Sequence, residues 1–198
     1  ICFGEKGISI LIKGLMQSSP DVVHPLKYSV TRVCAHGLAA SGAAAIPALS
    51  AALEVKYEQP EILGQIAYAL GEMREQASQA VPKLIEMLQE DSAFTRQHVV
   101  EALGMIKEPT NLIVPALNEA LKDADMFVRQ QAGLALARIG PAAEEAVPAL
   151  KEAIYAANAE TDVPLLSPAR ADYGARYVPA IASIALQRIG SKQAIDTL

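Results

Sequence analysis

The sequence predicts an all-α fold, a right-handed superhelix of antiparallel helix pairs stacked in a row. Three observations predict it. The first is a phrase that recurs along the chain: Ala45-Ile46-Pro47-Ala48-Leu49, Ala80-Val81-Pro82-Lys83-Leu84, Ile113-Val114-Pro115-Ala116-Leu117 and Ala146-Val147-Pro148-Ala149-Leu150. Its prolines are spaced 35, 33 and 33 residues apart. The second is a leucine twelve residues before each of the last three prolines (Leu70, Leu103 and Leu136), each preceded by an alanine: Ala69, Ala102 and Ala135. The third is composition. The chain is 52% hydrophobic and only 5% aromatic, with no Trp. Such small aliphatic side chains suit closely stacked helices.

The elements follow in order from these markers. Residues 7–16 read as the second helix of a preceding, partial unit that occupies 1–20. Repeats then span about 21–56, 57–90, 91–123 and 124–156. In the second, Ile66, Ala69, Leu70 and Met73 fall at helical spacing. The third repeats this with Val99, Ala102, Leu103 and Ile106, and the fourth with Val128, Ala132, Ala135, Leu136 and Ile139. Ser92 and Asp125 precede first helices and suit N-caps. Gly140-Pro141 should break the chain before a second helix over about 143–156, with Pro148 near its first turn, where a missing N–H costs little. The first repeat has a tighter turn at Ser41-Gly42-Ala43. Gly71 and Gly104 follow equivalent leucines and should let helices approach closely. Leu136 to Leu186 spans 50 residues, 17 more than the period. An insertion at 157–173 therefore precedes a last partial repeat at 174–198, in which Pro179 should kink the first helix. One helix pair cannot bury both of its apolar stripes alone; stacking buries them against neighbours. Both ends read as unfinished, as in a piece of a longer array.

The run Asp123, Asp125, Val128-Arg129, Ala132, Ala135-Leu136 and Val147-Pro148-Ala149-Leu150 resembles the HEAT repeats of the short, phycobilisome-lyase-like subfamily. The resemblance covers about residues 21–198. It implies the α-solenoid fold, and it implies an arginine at the Arg96 and Arg129 slot. Thr31, Leu63 and Pro179 depart from that pattern. Some members of the subfamily attach, isomerise or remove bilins, so the resemblance leaves a bilin lyase or chaperone open, with Arg170 or Arg176 toward the propionates. An accessory HEAT segment of a larger multidomain enzyme is the further alternative.

Charge and motif content narrow the rest. A net charge of −5 and a pI near 5.3 count against nucleic acid, which attracts basic faces. No apolar run approaches the roughly 18 residues of a membrane span. Cys2 and Cys34 read as buried thiols, which suits a reducing, cytoplasmic setting. His24, His36 and His98 show no i, i+4 pairing and none precedes a Glu, so no metal or other cofactor is expected. The sequence has no phosphate-binding glycine loop and no nucleophile elbow.

Candidate sites remain. Arg96 and Arg129 suggest a structural ladder, each pairing with acidic groups such as Glu90 or Asp123. Glu86, Glu119 and Glu152 each stand four residues after a repeat's proline. Equal phase would align them in a row on the second-helix face, toward a partner with a basic surface. In the insertion and just beyond, Asp162, Arg170, Asp172, Tyr173, Arg176 and Tyr177 mix charge with amphipathic aromatics, as interface hot spots do. The expected function is a non-enzymatic scaffold for a protein or peptide partner, or for further repeats or domains of the same chain.

Overall fold

A computed structural model describes residues 4–16, 25–55, 57, 59, 61–159 and 173–196; residues 25–32, 156–159 and 173–177 are described by backbone alone. Every regular element among the described residues is helical. The fold is an all-α, HEAT-like solenoid. In chain order the α-helices are α1 (Glu5–Met16), α2 (Pro25–Ala40), α3 (Ile46–Leu53), α4 (Glu61–Glu72), α5 (Val81–Glu86) and α6 (Ala93–Ile106). They continue with α7 (Thr110–Ala120), α8 (Met126–Ile139), α9 (Val147–Ala159), α10 (Tyr173–Ile189) and α11 (Lys192–Ile195). None of them is long and apolar enough to cross a membrane.

The chain divides into two compact units, Ile1–Glu108 and Pro109–Leu198. In the first, α2, α4 and α6 pack side by side as first helices, with α1 against α2 and α3 against α4. Glycines set the closeness of that layer. A Cβ on Gly64 would stand 3.2 Å from the Thr95 Cα, and one on Gly71 would stand 2.8 Å from the Ala102 Cα. Both contacts join residues 31 apart in sequence, so α4 and α6 run parallel. In the second unit α8 and α10 pack together, and α9 packs on α10. Gly133 there leaves room for Ile181, whose Cγ2 would lie 2.6 Å from an added Cβ.

The repeated phrase is an instruction about burial. The β-branched residue before each proline is buried (Ile46, Val81, Val114, Val147), and so is the leucine two after it (Leu49, Leu84, Leu117, Leu150). The prolines themselves face solvent. Leu70, Leu103 and Leu136 are wholly buried, as are the alanines before them.

Proline also shapes the second helices. Its missing N–H interrupts the i→i−4 ladder, and before three of the four prolines the residue ahead bonds one step nearer. Ile46, Val81 and Val147 donate to the carbonyls of Ala43, Ser78 and Glu144. The residues in front are accordingly 3-10 turns at Gly42–Ala45, Arg74–Ala80 and Gly140–Ala146. The second helix of the fourth repeat therefore begins at Val147, later than the periodicity suggests. The third repeat differs: α7 starts at Thr110, behind Pro109 in extended conformation, and Pro115 lies inside it. Pro179 lies inside α10, and the helix is assigned on both sides of it.

Ser92 and Asp125 do cap their helices. Ser92 Oγ accepts from the Thr95 N–H at 3.3 Å, and Asp125 Oδ1 accepts from the N–H groups of Phe127 and Val128 at 2.9 and 3.1 Å. Ser191 caps α11 in the same way.

The turn inside each repeat contains one residue of positive φ, which the sequence hides. Gly42, Arg74, Lys107, Gly140 and Gly190 occupy one repeat position, and their φ values are +62°, +54°, +66°, +72° and +67°. At three of the five the N–H returns to the carbonyl of the marker leucine: Lys107 to Leu103, Gly140 to Leu136 and Gly190 to Leu186. At Lys107 this is a left-handed helix cap, which glycine adopts freely and other residues adopt at a cost of about 1 kcal/mol, whereas Gly140, at ψ −136°, lies outside that region.

Candidate interaction face

Glu86, Glu119 and Glu152 stand on second helices, each two residues beyond a buried leucine, which on a helix turns them away from the core. Their side chains are 69, 79 and 68% exposed. They are not bare carboxylates. In the first unit Lys83 Nζ lies 3.1 Å from both Glu86 Oε2 and Glu54 Oε2. In the second, Lys122 Nζ lies 4.0 Å from Glu119 Oε1 and 3.9 Å from Glu152 Oε2. Each lysine thus joins carboxylates of two successive second helices. The Lys83 ammonium has its pKa raised, first by the hydrogen bond to Glu86 and then by that to Glu54.

Glu54 and the two lysines were not foreseen. The i, i+3 spacing of Lys83 to Glu86 and of Glu119 to Lys122 was the available signal. The longer reaches, to Glu54 and Glu152, depend on how the helices stack. Exposed pairs of this kind organise charge more than they hold a fold together.

The arginine slot reaches the backbone of the turn ahead of it. Arg96 Nη1 donates to the backbone carbonyls of Glu90 and Asp91 at 2.8 and 2.9 Å. Arg129 Nη1 does the same to Asp123 and Ala124 at 2.8 and 3.0 Å. The guanidinium groups therefore tie down the turn that enters each first helix by taking up its carbonyls. In the second repeat the slot is held by Leu63, which is buried.

The remaining candidates disperse. His36 Nδ1 lies 3.1 Å from Glu72 Oε2. His98 Nδ1 donates to the Phe94 carbonyl at 2.9 Å, and its ring packs on those of Phe94 and Tyr68. Among the described residues no group of three or more His, Cys, Asp or Glu side chains is placed to hold a metal ion. Cys34 is buried, and burial raises its thiol pKa, which disfavours the reactive thiolate. Gly14 makes room for it: a Cβ there would stand 2.7 Å from the sulfur. Cys2, His24, Asp162, Arg170 and Asp172 lie outside the described residues. Tyr173, Arg176 and Tyr177 stand in the first turns of α10.

Two open grooves border second helices. One of about 590 Å³, between α1 and the start of α3, is lined chiefly by Ile8, Ile12, Met16, Pro47 and Ala48. The other, of about 570 Å³ between α9 and α11, carries Glu144, Lys151, Lys192 and Asp196 around Val147 and Pro148.

Residues 8–104 and 81–162 match the family model described as HEAT repeats. The chain belongs to the HEAT-repeat family. Solved structures agree with the fold of this HEAT-repeat protein. An engineered protein matches at 23% identity and TM-score 0.56, over 96% of this chain and 84% of its own. A designed armadillo repeat protein in complex with the peptide (KR)4 matches at 21% identity and TM-score 0.57, over 93 and 82%. Human deoxyhypusine hydroxylase, in complex with glycerol, matches at 22% identity and TM-score 0.51, over 97 and 66%. Identities this low speak for the fold alone. No curated protein matches the chain significantly.

Proposed function

We propose that this HEAT-repeat protein is a non-enzymatic scaffold whose second-helix face binds a protein or peptide segment carrying Lys or Arg. The observation that carries the reading is the exposure of Glu86, Glu119 and Glu152 at one repeat position. HEAT and armadillo-like repeats are typical of protein-interaction scaffolds, and the armadillo relative in fold holds the basic peptide (KR)4. In each unit the carboxylates already share one internal lysine, which shows that cation and carboxylate meet there at contact distance. A partner's cations would add to that pattern on the exposed side.

Our division into repeats at 21–56, 57–90, 91–123 and 124–156, with an insertion at 157–173, follows the 33-residue period. That short period also supports membership of the phycobilisome-lyase-like subfamily. The stretch around α10's start, with Tyr173, Arg176 and Tyr177, is proposed as a second contact.

The test is capture of (KR)4 by the full chain. Glu86→Lys, Glu119→Lys and Glu152→Lys together should abolish it while helicity and melting temperature stay nearly unchanged. Undiminished capture by the folded triple variant would refute the reading.

A further inference from the structure

The five turns inside the repeats share a residue of positive φ, and three of them use glycine. The first unit departs from this twice, at Arg74 and Lys107. Both are cationic, and both adopt a conformation that glycine would take without strain. Such a residue, kept where the chain's own alternative is easier, points to a task for the side chain. Arg74 is exposed and Lys107 half-buried. Neither side chain has an ion pair or hydrogen bond among the described residues. Arg96, Arg129, Lys83 and Lys122, by contrast, are all engaged within the chain.

Geometry places the two turns at one end of the same helix pair. Helices α4 and α6 run parallel, and their backbones approach closely at Gly71 and Ala102. Arg74 follows Gly71 by three residues and Lys107 follows Ala102 by five, so both turns leave the same end of the packed pair. Axes of packed helices lie about 8–10 Å apart. Alternate residues of an extended chain stand on one face about 7 Å apart, within reach of two long, flexible cationic side chains. Glu75 and Glu108 follow the two cations directly, so this edge is no broad basic patch. It offers two discrete positive groups, which suits a spaced pair of carboxylates better than a polyanion.

We propose that the turns at Arg74 and Lys107 form an edge contact for an acidic segment of a partner protein, each cation taking one of two carboxylates on alternate residues. This contact is separate from the glutamate-bearing face and does not depend on it.

The experiment titrates the full chain, at low ionic strength, with a peptide carrying Glu-Ser-Glu and with its Gln-Ser-Gln counterpart. The wild type should prefer the acidic peptide. The double variant Arg74→Gly, Lys107→Gly should bind it at least about fivefold more weakly yet melt at a higher temperature, because strain is relieved as the cations are lost. Arg74→Gln with Lys107→Gln should weaken binding equally without that gain. Three results would overturn the proposal: no preference for the acidic peptide, unchanged affinity in the glycine variant, or a lower melting temperature for it. The last would mean that the cations serve the negative ends of their own helices.

Discussion

The turns within repeats and the turns between repeats solve the same problem by different means. Within a repeat, the chain reverses through one residue of positive φ whose N–H caps the helix behind it, as at Lys107 and Gly140. Between repeats, at 90–92 and 123–125, the reversal is held by side chains. An arginine one turn into the next helix reaches back to two carbonyls, while Ser92 or Asp125 accepts from the helix N-terminus. The first kind depends on backbone conformation and tolerates any residue that can bear a positive φ. The second depends on particular side-chain atoms. Substitutions should therefore separate the two.

Glycine 140 should give the largest effect. Its φ of +72° and ψ of −136° lie in a region that essentially glycine alone occupies. Gly140→Ala should destabilise by about 1–3 kcal/mol, measured by chemical denaturation. A cost no greater than that of an exposed alanine substitution would blur the distinction between the two kinds of turn. Arg129→Ala should come next, at about 1–2 kcal/mol, since two charge-assisted bonds are lost from a partly exposed site. Arg129→Lys should recover only part of this, because both bonds come from Nη1, which stands one atom farther along the side chain than a lysine Nζ. Asp125→Ala should cost about 1 kcal/mol through loss of the N-cap. The smallest effect should have the opposite sign. Arg74→Gly and Lys107→Gly should each stabilise by about 0.5–1 kcal/mol, less whatever the cation contributes at its helix end. Stability equal to that of the wild type in both variants would show that the turns at Arg74 and Lys107 carry no strain.

Much of this was legible in the residues, for a physical reason. Burial in a stacked helix pair repeats with the helix period, so Leu70, Leu103, Leu136 and the valines before the prolines declare themselves by spacing. Caps are local as well: Ser92 and Asp125 meet N–H groups two or three residues away. The candidate face was half legible. The exposure of Glu86, Glu119 and Glu152 follows from phase, whereas their lysine partners follow partly from packing.

The sequence by itself determined the recurring phrase, its buried faces and the capped starts of α6 and α8, because all of these rest on interactions between near neighbours. Tertiary structure decided what reaches across. It set Lys83 between Glu54 and Glu86, turned the arginines toward backbone carbonyls, and held Arg74 and Lys107 in a left-handed turn that their side chains give no reason to expect. Those outcomes depend on where a neighbouring helix or turn puts its atoms, and a single segment of sequence does not contain that information.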